Sequence, residues 1–217
     1  MNLDLVIFDM DGLVVDSEKI YYAANKRAAD QLKMNYSLEY YRQYIGTGTK
    51  KMLDAMTLDY GSRSLVENFI HLSHDLVFDV IKEKGLPLKK GFLELSAFLA
   101  QNGVRRALAS SNDRVAIDFF LQEAKINQQF EYIVSADDVQ HSKPSPDIFE
   151  RAWTLAGAPA KRKALVLEDS FNGIRAALNA KIPSIMIPDL IPATPEASSQ
   201  TLAVLSDLNE VKSFIQG

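Results

Sequence analysis

The chain has 217 residues, and its 24 basic and 28 acidic side chains give a formal net charge of −4. The absence of cysteine excludes disulfide scaffolds, zinc–thiolate sites and enzymes with a cysteine nucleophile. With three histidines and no basic run, the composition argues against a histidine-rich metal site and against a nucleic-acid partner. The sequence shows neither an export signal nor an apolar stretch that could span a membrane. We therefore expect a cytoplasmic protein with no membrane partner.

Short apolar segments alternate with longer amphipathic segments, which predicts an α/β fold with a parallel sheet. In chain order, the predicted strands are 5–8, 104–109, 132–134, 164–167, 185–187 and a weaker edge strand at 203–205. The predicted helices between them are 92–101, 114–124, 146–156 and 171–180. Ser145 is a candidate cap for the helix predicted to begin at Pro146, and Gly103 and Gly157 indicate helix ends.

Residues 17–84 follow the first strand but contain no strand pattern. Ser17 begins one helical pattern and residues 64–84 carry another, with two shorter helical patterns between them divided by a loop at 45–49. These helical patterns predict a small helical cap domain at 17–84, inserted into a core made of 1–16 and 85–217. A glycine and a proline in the segment that returns to the core suit a domain boundary.

Polar side chains follow four of the predicted strands where each strand ends. They are Asp9 and Asp11; Ser110, Ser111 and Asn112; Lys143; and Glu168 and Asp169. In an open parallel sheet, ligands bind at this edge, near the point where the strand order reverses. Crowded carboxylates repel one another unless a cation joins them, and oxygen ligands without His or Cys favour Mg²⁺. Lysine and hydroxyl groups suit a phosphoryl group, which a carboxylate can attack while a second acid transfers a proton.

The spacing of Asp9 and Asp11 predicts two carboxylates that face one pocket, because side chains two apart on a strand point the same way. The chain is then expected to turn at Gly12. Each motif also has a purely structural explanation, as a strand end, a helix start, a helix cap or a solvated lysine in an extended segment at 142–146. Their joint placement at the strand ends of one chain favours the functional interpretation.

Four segments, FDMDGLVVDSE, ALASSN, KPSPDIF and LEDSFNGIRAA, resemble the motifs of the haloacid dehalogenase superfamily in their usual order. The helical insertion resembles that of the subgroup with a small α-helical cap, which contains β-phosphoglucomutase and many sugar-phosphate phosphatases. The resemblance covers essentially the whole chain. It implies a Rossmann-like core, Mg²⁺ as cofactor, an aspartyl-phosphate intermediate and the monomeric state that is commonest in the family.

The resemblance also implies the catalytic and metal-binding roles. Asp9 matches the nucleophile, whose carboxylate also binds Mg²⁺. Asp11 matches the general acid and base, with its backbone carbonyl as a metal ligand, and is the signature of the phosphatase and phosphotransferase members. Glu168 and Asp169 match the acidic pair of the fourth motif, with Asp169 the stronger candidate for a metal ligand.

A second set of residues matches the phosphate-binding positions of the family. Ser110 matches the phosphate-binding hydroxyl, assisted by the backbone at Ser111 and by Asn112. Lys143 matches the lysine that steadies the nucleophile and the transferring phosphoryl group. The resemblance therefore implies a small phosphorylated metabolite as the substrate.

The insertion is expected to select the substrate by closing over the strand ends. Its candidate contacts are Ser17, Glu18, Tyr21, Thr47, Thr49 and Lys50. The preferred explanation of these residues is nevertheless structural, with Tyr21 in core packing and Lys50 as a solvated helix residue. In β-phosphoglucomutases a histidine stands at the position of Tyr21 and an arginine near that of Thr49, beside Lys50. Tyrosine does not titrate near neutrality, and a single lysine clamps a second phosphate less well than arginine. Hydrolysis of a sugar phosphate is the preferred prediction, with β-phosphoglucomutase as the alternative.

Overall fold

The computed structural model describes residues 1–45 and 49–217. Within these residues, six strands form one sheet in the order β3-β2-β1-β4-β5-β6, and every neighbouring pair is parallel. The strands are β1 (Leu5–Phe8), β2 (Arg105–Ala109), β3 (Tyr132–Val134), β4 (Ala164–Glu168), β5 (Ser184–Met186) and β6 (Ala203–Val204). The predicted α/β, Rossmann-like fold class with a helical insertion after the first strand is confirmed.

In the described residues, helices both precede and follow β2 along the chain. Before it lie α1 (Glu18–Gln31), α2 (Leu38–Arg42), α3 (Thr49–Tyr60), α4 (Arg63–Lys84) and α5 (Phe92–Gln101). After it lie α6 (Arg114–Glu123), α7 (Asp147–Leu155), α8 (Phe171–Asn179), α9 (Pro195–Ser199) and α10 (Leu208–Gln216). Over the described part of the chain, each of these helices is too short or too polar to cross a bilayer.

The chain divides into two compact units, one of Met1–Asp16 with Pro87–Gly217 and the other of Ser17–Leu86. The first unit contains the whole sheet. Where the chain leaves and re-enters this unit, the N–H of Asp16 donates to the carbonyl of Pro87 at 2.8 Å. The second unit is helical, and in it α1 packs along α4.

Helices cover both faces of the sheet, and the residues at its centre are accordingly apolar and buried. All four residues of β1 are buried, as a short continuous apolar strand of a parallel sheet requires. A core cluster joins β1, β2 and β4 to α7 and α8 through side chains such as Ile7, Val166 and Phe149. This rigid centre holds the residues that follow each strand at the same edge of the sheet.

Two local predictions around Lys143 are wrong. Helix α7 begins at Asp147 with Pro146 in the cap position, and the Ser145 hydroxyl donates to the Asp147 carboxylate instead of capping the helix. Residues 142–146 form a turn and not an extended segment, since the N–H of Ser145 donates to the carbonyl of Ser142 at 3.0 Å. The Lys143–Pro144 peptide bond within this turn is cis.

Candidate active site

The candidate site lies at the carboxyl ends of the central strands, where the strand order reverses between β1 and β4. Phe8 is level with Leu108 on one side and with Leu167 on the other. The backbone N–H of Asp9 continues this pairing by donating to the carbonyl of Leu167 at 3.0 Å. The residues that follow these strands are therefore neighbours in space.

Lys143 lies at the centre of the cluster and not in solvent. Its Nζ donates to the Asp9 carboxylate, to Glu168 Oε1 at 2.7 Å and to the carbonyl of Ala109 at 3.4 Å. Its side chain is only 8% exposed, and the ammonium lies 4.9 Å from the centre of the Phe149 ring. Burial opposes the charged form, but Asp9 and Glu168 outweigh it and raise the pKa of Lys143 above its ordinary value.

Three carboxylates surround the space next to this lysine. Asp9, Glu168 and Asp169 each offer one oxygen, and these oxygens lie within 4.8 Å of one another. Burial raises the pKa of Asp9 to about 8, with Glu168 and Asp11 adding to the rise and Lys143 opposing it. One lysine therefore does not compensate the buried negative charge, and a set of hard oxygen donors fits Mg²⁺.

Glu168 is the last residue of β4 and not, as predicted, the first residue after it. Its side chain is fully buried, and its Oε2 accepts hydrogen bonds from the N–H and Oγ of Ser170 at 2.8 and 2.9 Å. Ser170 caps α8 by accepting from the N–H of Gly173 at 3.1 Å. Lys143 and Ser170 thus engage both oxygens of Glu168.

Gly173 contributes to the site because it has no side chain. A Cβ at this position would overlap the carboxylate of Glu168, so only glycine lets α8 approach so closely. The sequence reasoning did not single out Gly173. A glycine inside a helical pattern, five residues after an acidic strand end, is the signal that could have found it.

Strand β1 ends at Phe8, so Asp9 and Asp11 both lie beyond the strand. The alternation argument therefore does not apply to them, and the carboxylate of Asp11 is not in the group of three described above. Asn112 Nδ2 donates to Asp11 Oδ2 at 2.8 Å, which orients the Asp11 side chain.

The serine loop after β2 lies at the same edge of the sheet. The hydroxyl of Ser110 is buried and accepts from the backbone N–H of Asn112 at 3.2 Å. Ser111 is exposed. The loop therefore presents one buried hydroxyl and one side-chain amide that orients Asp11.

The candidates in the helical unit have mixed environments. Ser17 is buried in the cap position of α1, and Glu18 accepts a hydrogen bond from the hydroxyl of Tyr41. Tyr21 is half-buried on α1, whereas Lys50 is exposed on α3. Thr47 and the side chain of Thr49 lie outside the described residues. Their roles as substrate contacts remain predictions.

Comparison with known proteins identifies relatives over most of the chain. The model of the haloacid dehalogenase-like hydrolase family matches residues 6–187. A phosphorylated carbohydrates phosphatase of Thermotoga maritima is 28% identical over 84% of each chain. Hexitol phosphatase B of Escherichia coli is 27% identical, over 93% of this chain and 89% of its own length. In fold, the chain is similar to CbbY from Rhodobacter sphaeroides, crystallised with phosphate, with a TM-score of 0.80, 23% identity and 96% of both chains covered.

Proposed function

Because the chain belongs to the haloacid dehalogenase-like hydrolase family, we propose that it is a Mg²⁺-dependent phosphatase that hydrolyses a small sugar phosphate. The observation that carries the proposal is the buried cluster in which Lys143 bonds Asp9 and Glu168, with Asp169 beside them. The two phosphatases named above support the choice of a phosphorylated carbohydrate as the substrate class.

The proposed reaction uses the two aspartates in two steps. In the first step, the Asp9 carboxylate attacks phosphorus and the bond to the sugar oxygen breaks, while Asp11 gives its proton to that oxygen. In the second step, Asp11 accepts a proton from water, which attacks the aspartyl-phosphate and releases phosphate and free Asp9. The hydrogen bond from Asn112 holds the Asp11 carboxylate in one orientation for both transfers.

Lys143 is proposed to keep Asp9 ready for attack. Its ammonium contacts the Asp9 carboxylate directly and favours the ionised form that the reaction needs. Once phosphate is bound, the same ammonium lies close to the negative charge that develops on the phosphoryl oxygens. Ser110 and Asn112, together with the backbone at Ser111, are proposed to bind those oxygens.

Mg²⁺ would be held by Asp9 and Asp169, with the backbone carbonyl of Asp11. Glu168 would act from farther out, because Lys143 and Ser170 already engage both of its oxygens. When bound, the cation would neutralise phosphate charge and stabilise the ionised carboxylates.

The helical unit is proposed to supply substrate selectivity as a cap domain. Tyr21 and Lys50 stand where a mutase is expected to carry histidine and arginine, which favours transfer of the phosphoryl group to water over its return to a sugar. We further propose a monomer that works in the cytoplasm.

The test is a panel of phosphorylated sugars incubated with Mg²⁺, with release of inorganic phosphate as the measurement. Asp9→Asn and Asp11→Asn should reduce release to background. Asp118→Asn is the matched control, because Asp118 is an exposed aspartate on α6 whose pairing with Arg114 lies on the surface. Conversion of β-glucose 1-phosphate to glucose 6-phosphate without phosphate release would instead identify the mutase. No turnover of any sugar phosphate would refute the proposal.

A further inference from the structure

A second lysine–aspartate pair lies beside the candidate site. Lys89 Nζ donates to Asp189 Oδ1 at 2.6 Å, and the Asp189 side chain is only 10% exposed. Its other oxygen, Oδ2, is buried and has no hydrogen-bond partner in the described part of the chain. A carboxylate that is buried and only partly bonded costs stability, so folding alone gives little reason for it.

The turn that carries Asp11 packs directly against Asp189. At Gly12 the chain turns with a φ of +72°, and a Cβ there would meet the Asp169 carboxylate. The same Cβ would lie 3.3 Å from Cβ of Asp189. Gly12 therefore packs against both Asp169 and Asp189.

Lys89 joins the same turn through its backbone. Its N–H donates to the carbonyl of Val14 at 2.9 Å, and Val14 in turn donates to the carbonyl of Met10 at 2.9 Å. The ion pair then links Lys89 to Asp189, just beyond β5, where the N–H of Ile187 donates to the carbonyl of Glu168 at 2.8 Å. The pair thus connects the Asp11 turn to the strand end that carries the acidic residues.

We propose that Lys89 and Asp189 form a positioning pair, which holds the turn of residues 10–15 and so fixes Asp11 relative to Asp169. The effect on turnover rests on the proposed function, whereas the effect on the turn does not. The observed link between the pair and Asp11 runs through the turn, by way of the hydrogen bond from the Lys89 N–H to the Val14 carbonyl.

The neighbouring pair of Lys90 and Asp207 offers a matched control. Its Nζ–Oδ2 distance is also 2.6 Å, and it belongs to the same unit. Asp207, however, caps α10 by accepting from the N–H groups of Asn209 and Glu210. Loss of its charge should therefore affect α10 and leave the Asp11 turn unchanged.

The experiment compares Asp189→Asn with Asp207→Asn by amide hydrogen exchange of the metal-free protein. Exchange at residues 12–15 should accelerate in Asp189→Asn and remain at the wild-type rate in Asp207→Asn. With a sugar phosphate that the wild type hydrolyses, Asp189→Asn should lower kcat about tenfold to a hundredfold with little change in KM. Asp207→Asn should keep the wild-type kcat.

Lys89→Met is a second test of the positioning pair, since it removes the ion pair without changing the Asp189 side chain. It should also accelerate exchange at residues 12–15, and the double variant should exchange no faster than the faster single variant. Wild-type exchange in either folded single variant would overturn the proposal, as would a uniform loss of stability with kcat unchanged. If the wild type hydrolysed no sugar phosphate, the proposed function would fail while the exchange comparison still decided the role of the pair.

Discussion

Gly173→Ala is expected to destabilise the protein, although alanine is the better helix former. In an ordinary helix interior, this change stabilises a protein by about 1 kcal/mol. Here the new Cβ would overlap the Glu168 carboxylate, which therefore has to move. Movement breaks its 2.7 Å contact with Lys143 and its two hydrogen bonds to Ser170.

The expected loss follows from what Glu168 leaves behind. Separating one partner from a buried ion pair costs about 3–5 kcal/mol. Lys143 keeps its bond to Asp9, so we expect the lower end, about 3 kcal/mol. Subtracting the gain in helix propensity leaves a loss of about 2 kcal/mol, or about 4–8 °C in melting temperature for a chain of this size.

Urea denaturation of the metal-free protein at pH 7 measures this loss as a shift of the midpoint. The control is the same substitution in a Glu168→Ala background, where the obstructing carboxylate is absent. There Gly173→Ala should stabilise the protein by about 1 kcal/mol, so the sign reverses. A stabilising effect in the wild type, or equal losses in both backgrounds, would refute the reasoning.

Three further outcomes are expected. Lys143→Met should abolish hydrolysis and lower the unfolding free energy by about 3–5 kcal/mol at pH 7, because Asp9 and Glu168 lose the ammonium that contacts both. Urea denaturation measures this loss, and an unchanged midpoint would contradict it. Asn112→Ala should lower kcat about tenfold, since Asp11 loses its 2.8 Å hydrogen bond, and should raise KM as well, since Asn112 is also proposed to bind the phosphoryl oxygens; a change confined to KM would contradict the orienting role. Because the pKa of Asp9 is raised to about 8, Mg²⁺ binding at pH 7 should release a proton, and the affinity for Mg²⁺ should weaken as the pH falls below 8. Calorimetry in two buffers of different ionisation enthalpy measures the proton release. Its absence would contradict the assignment of Asp9 as a Mg²⁺ ligand.

The strand-end motifs could be predicted because they depend on local patterns. Short apolar runs bounded by polar residues located β1 and β3 at their observed bounds, and parallel pairing then brings the strand ends together. The burial of Lys143 could not be predicted in this way. It depends on a turn that carries the lysine over Phe149 and back to Ala109, which no local pattern encodes.

One feature was missed because it is a contact between residues far apart in the chain. The apposition of Lys89 and Asp189 joins residues 100 positions apart, and nothing near either residue indicates the other. The Ser145 prediction was wrong for a local reason, because proline took the cap position and the hydroxyl found the Asp147 carboxylate instead. Predicting these features needs the packed structure as well as the periodicity.

The position of β1 has a consequence for how the protein is made. This buried strand is synthesised before both of its partners, β2, from Arg105, and β4, from Ala164. At ribosomal rates of about 5–20 residues per second, roughly 8–30 s pass before Ala164 is added. Until then, Leu5–Phe8 is an apolar segment without its sheet partners, and the charges of Asp4 and Asp9 at its two ends disfavour aggregation. The carboxylate proposed as the nucleophile would thus protect the nascent chain before it has any substrate.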